Sequence, residues 1–152
     1  MVGRKSLSGN YCPSARSLDV IGDWWSLLIV RDAFDGLTRF GEFQKSLGIA
    51  KNILAQRLRT LVERGILASV PAPNGGAHQE YHLTDMGRDL FPVMVALRQW
   101  GERYLFEPGE PHSKLVDRDT GRPIRLDVRT DDGSAITADK ALILKVPVTD
   151  ED

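Results

Sequence analysis

Two glycines, Gly48 and Gly65, bracket a run of apolar residues at helical spacing, and this punctuation restricts the fold more than any other feature of the chain. Before Gly48, Phe40, Phe43 and Leu47 fall on one side of a short helix. Gly tolerates the positive φ with which helices end, so Gly48 predicts a sharp stop. After Ile49-Ala50-Lys51 the chain restarts, and Ile53, Leu54, Leu58, Leu61 and Val62 form a continuous stripe of 3.6-residue period that Gly65 closes. Leu67-Ala68-Ser69-Val70 and Gln79-Glu80-Tyr81-His82-Leu83 then read as two short strands, with Tyr81 and Leu83 facing the core. Their link, Pro71 to His78, is too long for a tight turn and is rich in turn formers. Helix, turn, longer helix and hairpin in this order describe a winged helix-turn-helix, a shape that lays one helix in the DNA major groove.

The polar face of the longer helix carries Lys51, Asn52, Gln56, Arg57 and Arg59. Amide and guanidinium groups suit bidentate contact to purine edges, and Lys reaches phosphate. Between Arg39 and Gly65 there are six cations and two anions, a local +4 in a chain of net charge -1. Lys51, Asn52, Gln56 and Arg59 are therefore the candidates for base or phosphate contact, with Arg39 and Lys45 on the DNA backbone. Arg57 ranks lower, since Glu63 or the rim of the core competes for it. The hairpin loop is the wing, and Asn74, His78 and Gln79 are its polar candidates. The alternative for the helix is an ordinary solvated surface; for His78 it is a neutral loop histidine.

The chain resembles the HxlR-type winged-helix transcriptional regulators, relatives of the MarR group. The matching residues are Cys12-Pro13, Leu18 to Ile29, Arg39-Phe40-Gly41-Glu42-Phe43, Leu54 to Leu61, Glu80 to Thr84, Gly87 and Leu97 to Gly101, in register over about residues 11 to 103. The resemblance implies a dimeric, cytoplasmic, sequence-specific regulator that binds double-stranded DNA. Two departures stand out. The family often has Ser where Ala50 stands, so a helix cap is missing. Its wing often has Arg where His78 stands, which weakens the expected minor-groove contact.

Whole-chain properties agree. A chain of 152 residues with 41% hydrophobic and 27% charged residues holds one good core plus an appendage. No apolar run approaches the ~20 residues that span a membrane. Met1 to Lys5 is basic but no apolar region follows, so no signal peptide is expected. One cysteine excludes an internal disulfide framework and suits a reducing cytoplasm.

Asp23 is a plausible cap for an apolar helix from Trp24 to Phe34. Trp24 and Trp25 cannot easily face one core, so one of them, Trp25 in our assignment, meets a partner subunit or the C-terminal helix, unless loops of the same chain cover both. Thr84 caps the next helix. There Leu90, Val93, Met94, Leu97, Trp100 and Tyr104 form one strip, and Phe91 and Val95 add a second. Pro92 should kink this helix or divide it. The surplus apolar surface points to a homodimer through Phe91, Val95 and Trp100 together with Trp25, presenting two recognition helices ~34 Å apart. The other use of that surface is to cover the C-terminal segment.

The expected fold class is thus α+β: residues 1–106 a winged helix-turn-helix with dimerisation helices, residues 107–152 a linker and a small antiparallel β appendage. Glu107-Pro108-Gly109-Glu110-Pro111 is the linker. Lys114 to Asp117, Ile124 to Val128 and Ala141 to Val148 read as strands, three or four in all, divided by Asp119-Thr120-Gly121 and Asp131-Asp132-Gly133-Ser134. Residues 107–152 hold seven cations and eleven anions, against thirteen and ten before them. So acidic a piece should lie away from DNA.

Cys12 is the one candidate for chemistry. Pro13 fits the first turn of a helix, a thiol at a helix N-terminus has a stabilised thiolate, and Arg16 lies one turn on. The resemblance implies that a cysteine here can act as a redox sensor; the plainer reading is a small packed residue. No phosphate loop, zinc spacing or nucleophile–base pair is visible, so neither enzyme activity nor a cofactor or metal is expected. Two rival functions remain open. One is a small-molecule or redox sensor, its effector unknown, with a site between body and tail. The other is a winged-helix module for protein binding. The leading reading is a homodimeric repressor on a pseudo-palindromic operator.

Overall fold

A computed structural model describes residues 5–147. Residues 1–4 of the basic N-terminus and Val148, the end of the Ala141–Val148 strand expectation, lie outside them. The helices are α1 (Pro13–Ile21), α2 (Trp24–Phe34), α3 (Phe40–Leu47), α4 (Lys51–Glu63), α5 (Asp85–Arg88) and α6 (Phe91–Tyr104). The strands are β1 (Leu67–Pro71) and β2 (Gln79–Leu83). The chain divides into two compact units: one runs to Leu90 and resumes from Lys145, the other is Phe91–Leu144. A boundary near residue 106, expected from composition, is not where they part. Helix α6 groups with the acidic appendage.

In the first unit the apolar stripes are spent as their spacing requires. Ile29 and Val30 of α2, Phe43 of α3, Leu54, Leu58 and Leu61 of α4, and Ile66 and Leu67 at the root of the hairpin are all buried. Full burial of each such side chain is worth about 1.5–3 kcal/mol. Asp23 caps α2 by accepting hydrogen bonds from the Ser26 N–H (3.0 Å) and hydroxyl (2.6 Å). Gly48 and Gly65 stand at φ +62° and +81°, closing α3 and α4 in a conformation that other residues adopt only with strain.

β1 and β2 pair antiparallel, with Leu67 opposite Leu83 and Ser69 opposite Tyr81. An isolated antiparallel bridge between Arg39 and Glu80, with Tyr81 N–H donating to the Thr38 carbonyl at 2.7 Å, ties the start of α3 to β2. Tyr81 and Leu83 are only half-buried, whereas Glu80 is buried and contacts the His82 ring nitrogen at 3.3 Å.

Thr84 locks the hairpin to α4 and α5. Its hydroxyl donates to the carbonyls of Gly65 and Ile66 and accepts the Gly87 N–H at 3.1 Å. That seat needs Gly87: a Cβ there would lie 2.2 Å from the Ile66 carbonyl oxygen.

The helix expected from Thr84 to Tyr104 is divided, as Pro92 foretold, but the break falls at Asp89–Leu90. Pro92 is the second residue of α6, where its missing N–H has no intrahelical acceptor to lose. The β appendage needs a larger correction. Three or four strands do not form among the described residues. Two isolated antiparallel bridges remain, Val116 with Pro123 and Arg129 with Ala135, plus one 3₁₀ turn at Ala138–Lys140. The turn chemistry is strong enough to dominate. The Asp117 carboxylate accepts the N–H groups of Asp119 (2.8 Å) and Thr120 (3.0 Å), and Asp132 accepts the Ser134 N–H (3.0 Å) and the Thr130 hydroxyl. The Thr130 hydroxyl, then the Ser134 N–H, lower the Asp132 pKa to about 2. The runs between these turns are too short to make a ladder.

Gly87→Ala should destabilise the protein by about 1–3 kcal/mol, because backbone must move to admit the methyl. Gly41→Ala, inside α3 with nothing within 4 Å of its added Cβ, should instead stabilise by about 0.5–1 kcal/mol. Thermal unfolding of the two variants checks the opposite signs; equal shifts would contradict the Gly87 contact.

Candidate nucleic-acid interface

Burial of Leu54, Leu58 and Leu61 decides what α4 shows to water. At 100° per residue, Asn52, Gln56 and Arg59 project from the opposite side within one narrow sector, and all three are exposed. Lys51 opens the helix and is exposed. Arg39 and Lys45, at the two ends of α3, are exposed as well. Lys45, Lys51 and Arg59 have no ion-pair partner among the described residues.

The other two cations of the basic segment are engaged. Arg57 Nε lies 3.2 Å from Asp23 Oδ2, and Arg64 lies 3.9 Å from Asp19. Arg57 sits at the edge of the buried stripe, so it reaches the α2 cap. The competition expected for it is real, but the winning anion is Asp23 rather than Glu63. Distance in sequence hides that partner.

Glu42 organises the entry to α3. Its carboxylate accepts the N–H groups of Thr38 (2.9 Å) and Arg39 (3.2 Å), and these hydrogen bonds hold its pKa below the ordinary range. The same contacts fix the backbone at Arg39 where it meets β2. The N-terminus of α4 has no such partner: Ala50 is its N-cap and supplies no side-chain hydrogen bond. The first N–H groups of α4 are left for solvent or for an anion such as phosphate.

In the wing, Ala72 N–H donates to the His78 carbonyl at 3.0 Å, and Ser69 donates to the Gln79 side chain at 3.2 Å. Asn74 and His78 are exposed on the loop between these contacts. His78 immediately precedes β2.

The residues expected at a subunit contact separate. Phe91 and Trp100 are exposed, Trp25 is half-buried, and Val95 is 2% exposed and so is covered by its own chain. The first of the two strips is the open one: Val93, Leu97, Trp100 and Tyr104 are all exposed on α6 at spacings of four, three and four. Trp24, not Trp25, is the exposed tryptophan of α2, 75% accessible. Side-chain spacing alone could not rank two strips on one helix.

Cys12 is exposed and forms the N-cap of α1. The backbone N–H groups of Ala15, then Ser14, hold its thiol pKa below the ordinary value. Arg16 is engaged elsewhere, donating to the Asn10 carbonyl at 2.6 Å.

Two helices crossing at a glycine turn, a hairpin wing and a solvent-facing row of amide and cationic side chains define a winged helix-turn-helix of the regulator class. The model of the HxlR-like helix-turn-helix family matches residues 20–108, and the chain belongs to that family. The HTH-type transcriptional regulator MT3179 of Mycobacterium tuberculosis is 47% identical over 100 residues, which is 66% of this chain and 63% of MT3179. The chain thus matches less than two thirds of that relative's length. Among solved structures, PA1607, described as a candidate transcription factor, is 62% identical with a TM-score of 0.87. The match covers 92% of this chain and 99% of PA1607. The redox regulator HypR in its reduced form is 33% identical with a TM-score of 0.56, over 60% of this chain and 92% of HypR. Among the described residues no helix is long and apolar enough to cross a membrane.

Ala50→Ser should supply the absent cap of α4 and raise stability by about 1 kcal/mol. Chemical denaturation of the purified variant reads this directly; an unchanged midpoint would mean that the α4 N–H groups are already satisfied.

Proposed function

We propose that the protein is a homodimeric, sequence-specific regulator of transcription, most simply a repressor, acting in the cytoplasm on a pseudo-palindromic operator in double-stranded DNA. The observation that carries this reading is the row Asn52, Gln56 and Arg59, turned outward by the burial of Leu54, Leu58 and Leu61. Lys51 and the uncapped N-terminus of α4 suit phosphate, as do Arg39 and Lys45. Asn74 and His78 supply the weaker contacts of the wing. Two copies joined through the open strip of α6, Val93, Leu97, Trp100 and Tyr104, present two such rows to successive major grooves.

Selection of genomic fragments by the purified protein, followed by titration of the best fragment at several salt concentrations, tests the reading. Gln56→Ala should relax sequence preference, costing about 1–3 kcal/mol at the cognate site only. Lys51→Ala should weaken all duplexes alike and lower the salt slope by about one. Equal losses for both variants on cognate and random DNA would overturn these roles.

A second reading, control of the regulator by oxidation, is favoured by the exposed thiol of Cys12 and its N–H partners, and by likeness to HypR. Because the folded state lowers the thiol pKa, the alkylation rate of Cys12 should rise at lower pH than in the unfolded chain. A rate–pH profile with iodoacetamide checks this; matching profiles would remove the basis for sensing.

A further inference from the structure

The second unit holds a cavity of about 270 Å³ between α6 and residues 112–124. Hydrogen bonds bolt that segment to the helix: Arg98 Nη2 donates to the Ser113 hydroxyl at 2.8 Å, and Gln99 Nε2 donates to the Ile124 carbonyl at 3.0 Å. The Val116–Pro123 bridge and the Asp117 N–H, donating to the Arg122 carbonyl at 2.8 Å, fold the segment back on itself. The cavity is therefore pre-formed. Its lining divides by chemistry. Leu115, Val116, Pro123 and Ile124 make an aliphatic wall. Arg98, Glu102, His112 and Lys114 supply the polar side. Arg98 and Glu102 offset each other, with Nε 3.3 Å from Oε1. His112 is held as part of the wall, its Nδ1 2.7 Å from the Ser113 carbonyl oxygen and its ring centroid 4.9 Å from that of Phe106. Lys114 is left over, exposed and without an ion-pair partner among the described residues. The cavity thus joins an aliphatic wall to one uncompensated positive charge.

We infer that this cavity binds a small aliphatic carboxylate and that its occupancy controls the regulator. The inference rests on the regulator proposed above and gives it an effector class. A carboxylate pairs with Lys114 while its chain leaves water against the aliphatic wall. A cation of the same shape meets Lys114 with like charge, and a neutral alcohol leaves that charge unused. At ~30 Å³ for each water-sized group, the cavity takes roughly nine non-hydrogen atoms, the size of hexanoate. Helix α6 is the route of control. Arg98, Gln99 and Glu102 line the cavity, and Leu97, Trp100 and Tyr104 of the same helix belong to the exposed strip proposed to join two copies. A ligand that favours one arrangement of α6 shifts the dimer toward it.

The test uses the full chain and hexanoate, with butanoate, hexanol and hexylamine as congeners at equal ionic strength. Calorimetric titration reads binding, and titration of the selected DNA fragment with and without hexanoate reads control. Hexanoate should bind about tenfold more tightly than butanoate, by the two methylenes added to the wall contact. Hexanol should bind about threefold more weakly than hexanoate, and hexylamine more weakly still. Lys114→Gln, an exposed substitution that leaves the core intact, should remove the preference for hexanoate over hexanol. Ile124→Trp, which fills the cavity, should abolish binding of both. Hexanoate should change the affinity for the fragment about fivefold or more in the parent protein but not in Lys114→Gln. No binding of hexanoate, equal binding of hexanoate and hexanol, or binding indifferent to Lys114→Gln would overturn the site, and sequence-specific DNA binding would then still stand. Hexanoate bound with no change at the fragment would overturn the control. Failure to select any fragment would overturn the regulator, while the calorimetry still decides the site.

Discussion

Burial of three leucines on one side of α4 is the constraint from which the site follows. Leu54, Leu58 and Leu61 meet Ile29, Val30 and Phe43 in a core that admits no other rotation of the helix. Turning α4 by a third of a revolution would expose these leucines at about 1.5–3 kcal/mol each. The outward direction of Asn52, Gln56 and Arg59 is thus not a separate design problem. It is the complement of the packing, held with the stiffness of a core rather than that of a loop.

Packing sets the rotation of α4, and polar contacts hold its ends. Asp23 is shared between the cap of α2 and Arg57, while Asp19 accepts the Leu7 N–H at 2.8 Å and lies near Arg64. Just past the end of α4, the Thr84 hydroxyl joins Gly65, Ile66 and Gly87, so the hairpin leaves α4 at a fixed angle. These contacts are partly exposed, and each ion pair alone is worth little. Their effect is geometric: they tie the recognition helix to the wing through backbone carbonyls.

What could be read from sequence follows from how local each determinant is. Helical spacing, Gly48, Gly65, the Asp23 and Thr84 caps and the two hairpin strands are all decided within a few residues, and they stand as read. The failures lie where competition is non-local or between near-equal choices. Ile124 to Val128 alternates like a strand, but a strand needs a partner of matching length, and the Asx turns at Asp117 and Asp132 consume the residues on either side. On α6 two apolar strips looked alike, and only the folded chain shows that Val95 is covered while Val93, Leu97, Trp100 and Tyr104 are not. Arg57 could be placed at the core rim from its helical angle, but Asp23 as its partner belongs to tertiary structure.

The fate of Arg57 and Arg64 also changes the electrostatics of the face. Six cations between Arg39 and Gly65 look like a uniform basic patch in sequence. Folding pairs two of them with Asp23 and Asp19, leaving Arg39 and Lys45 at the two ends of α3, Lys51 at the start of α4 and Arg59 on its open side. Lys45, Lys51 and Arg59, exposed and without an ion-pair partner among the described residues, can take a phosphate without first breaking a contact, whereas Arg57 would have to give up the anion that caps α2. Positive charge is therefore concentrated on α3 and α4, and the wing, whose polar residues are Asn74, His78 and Gln79, adds little. A chain with net charge -1 presents a basic face because its anions sit elsewhere: two are folded against Arg57 and Arg64, and an excess of four lies beyond residue 106.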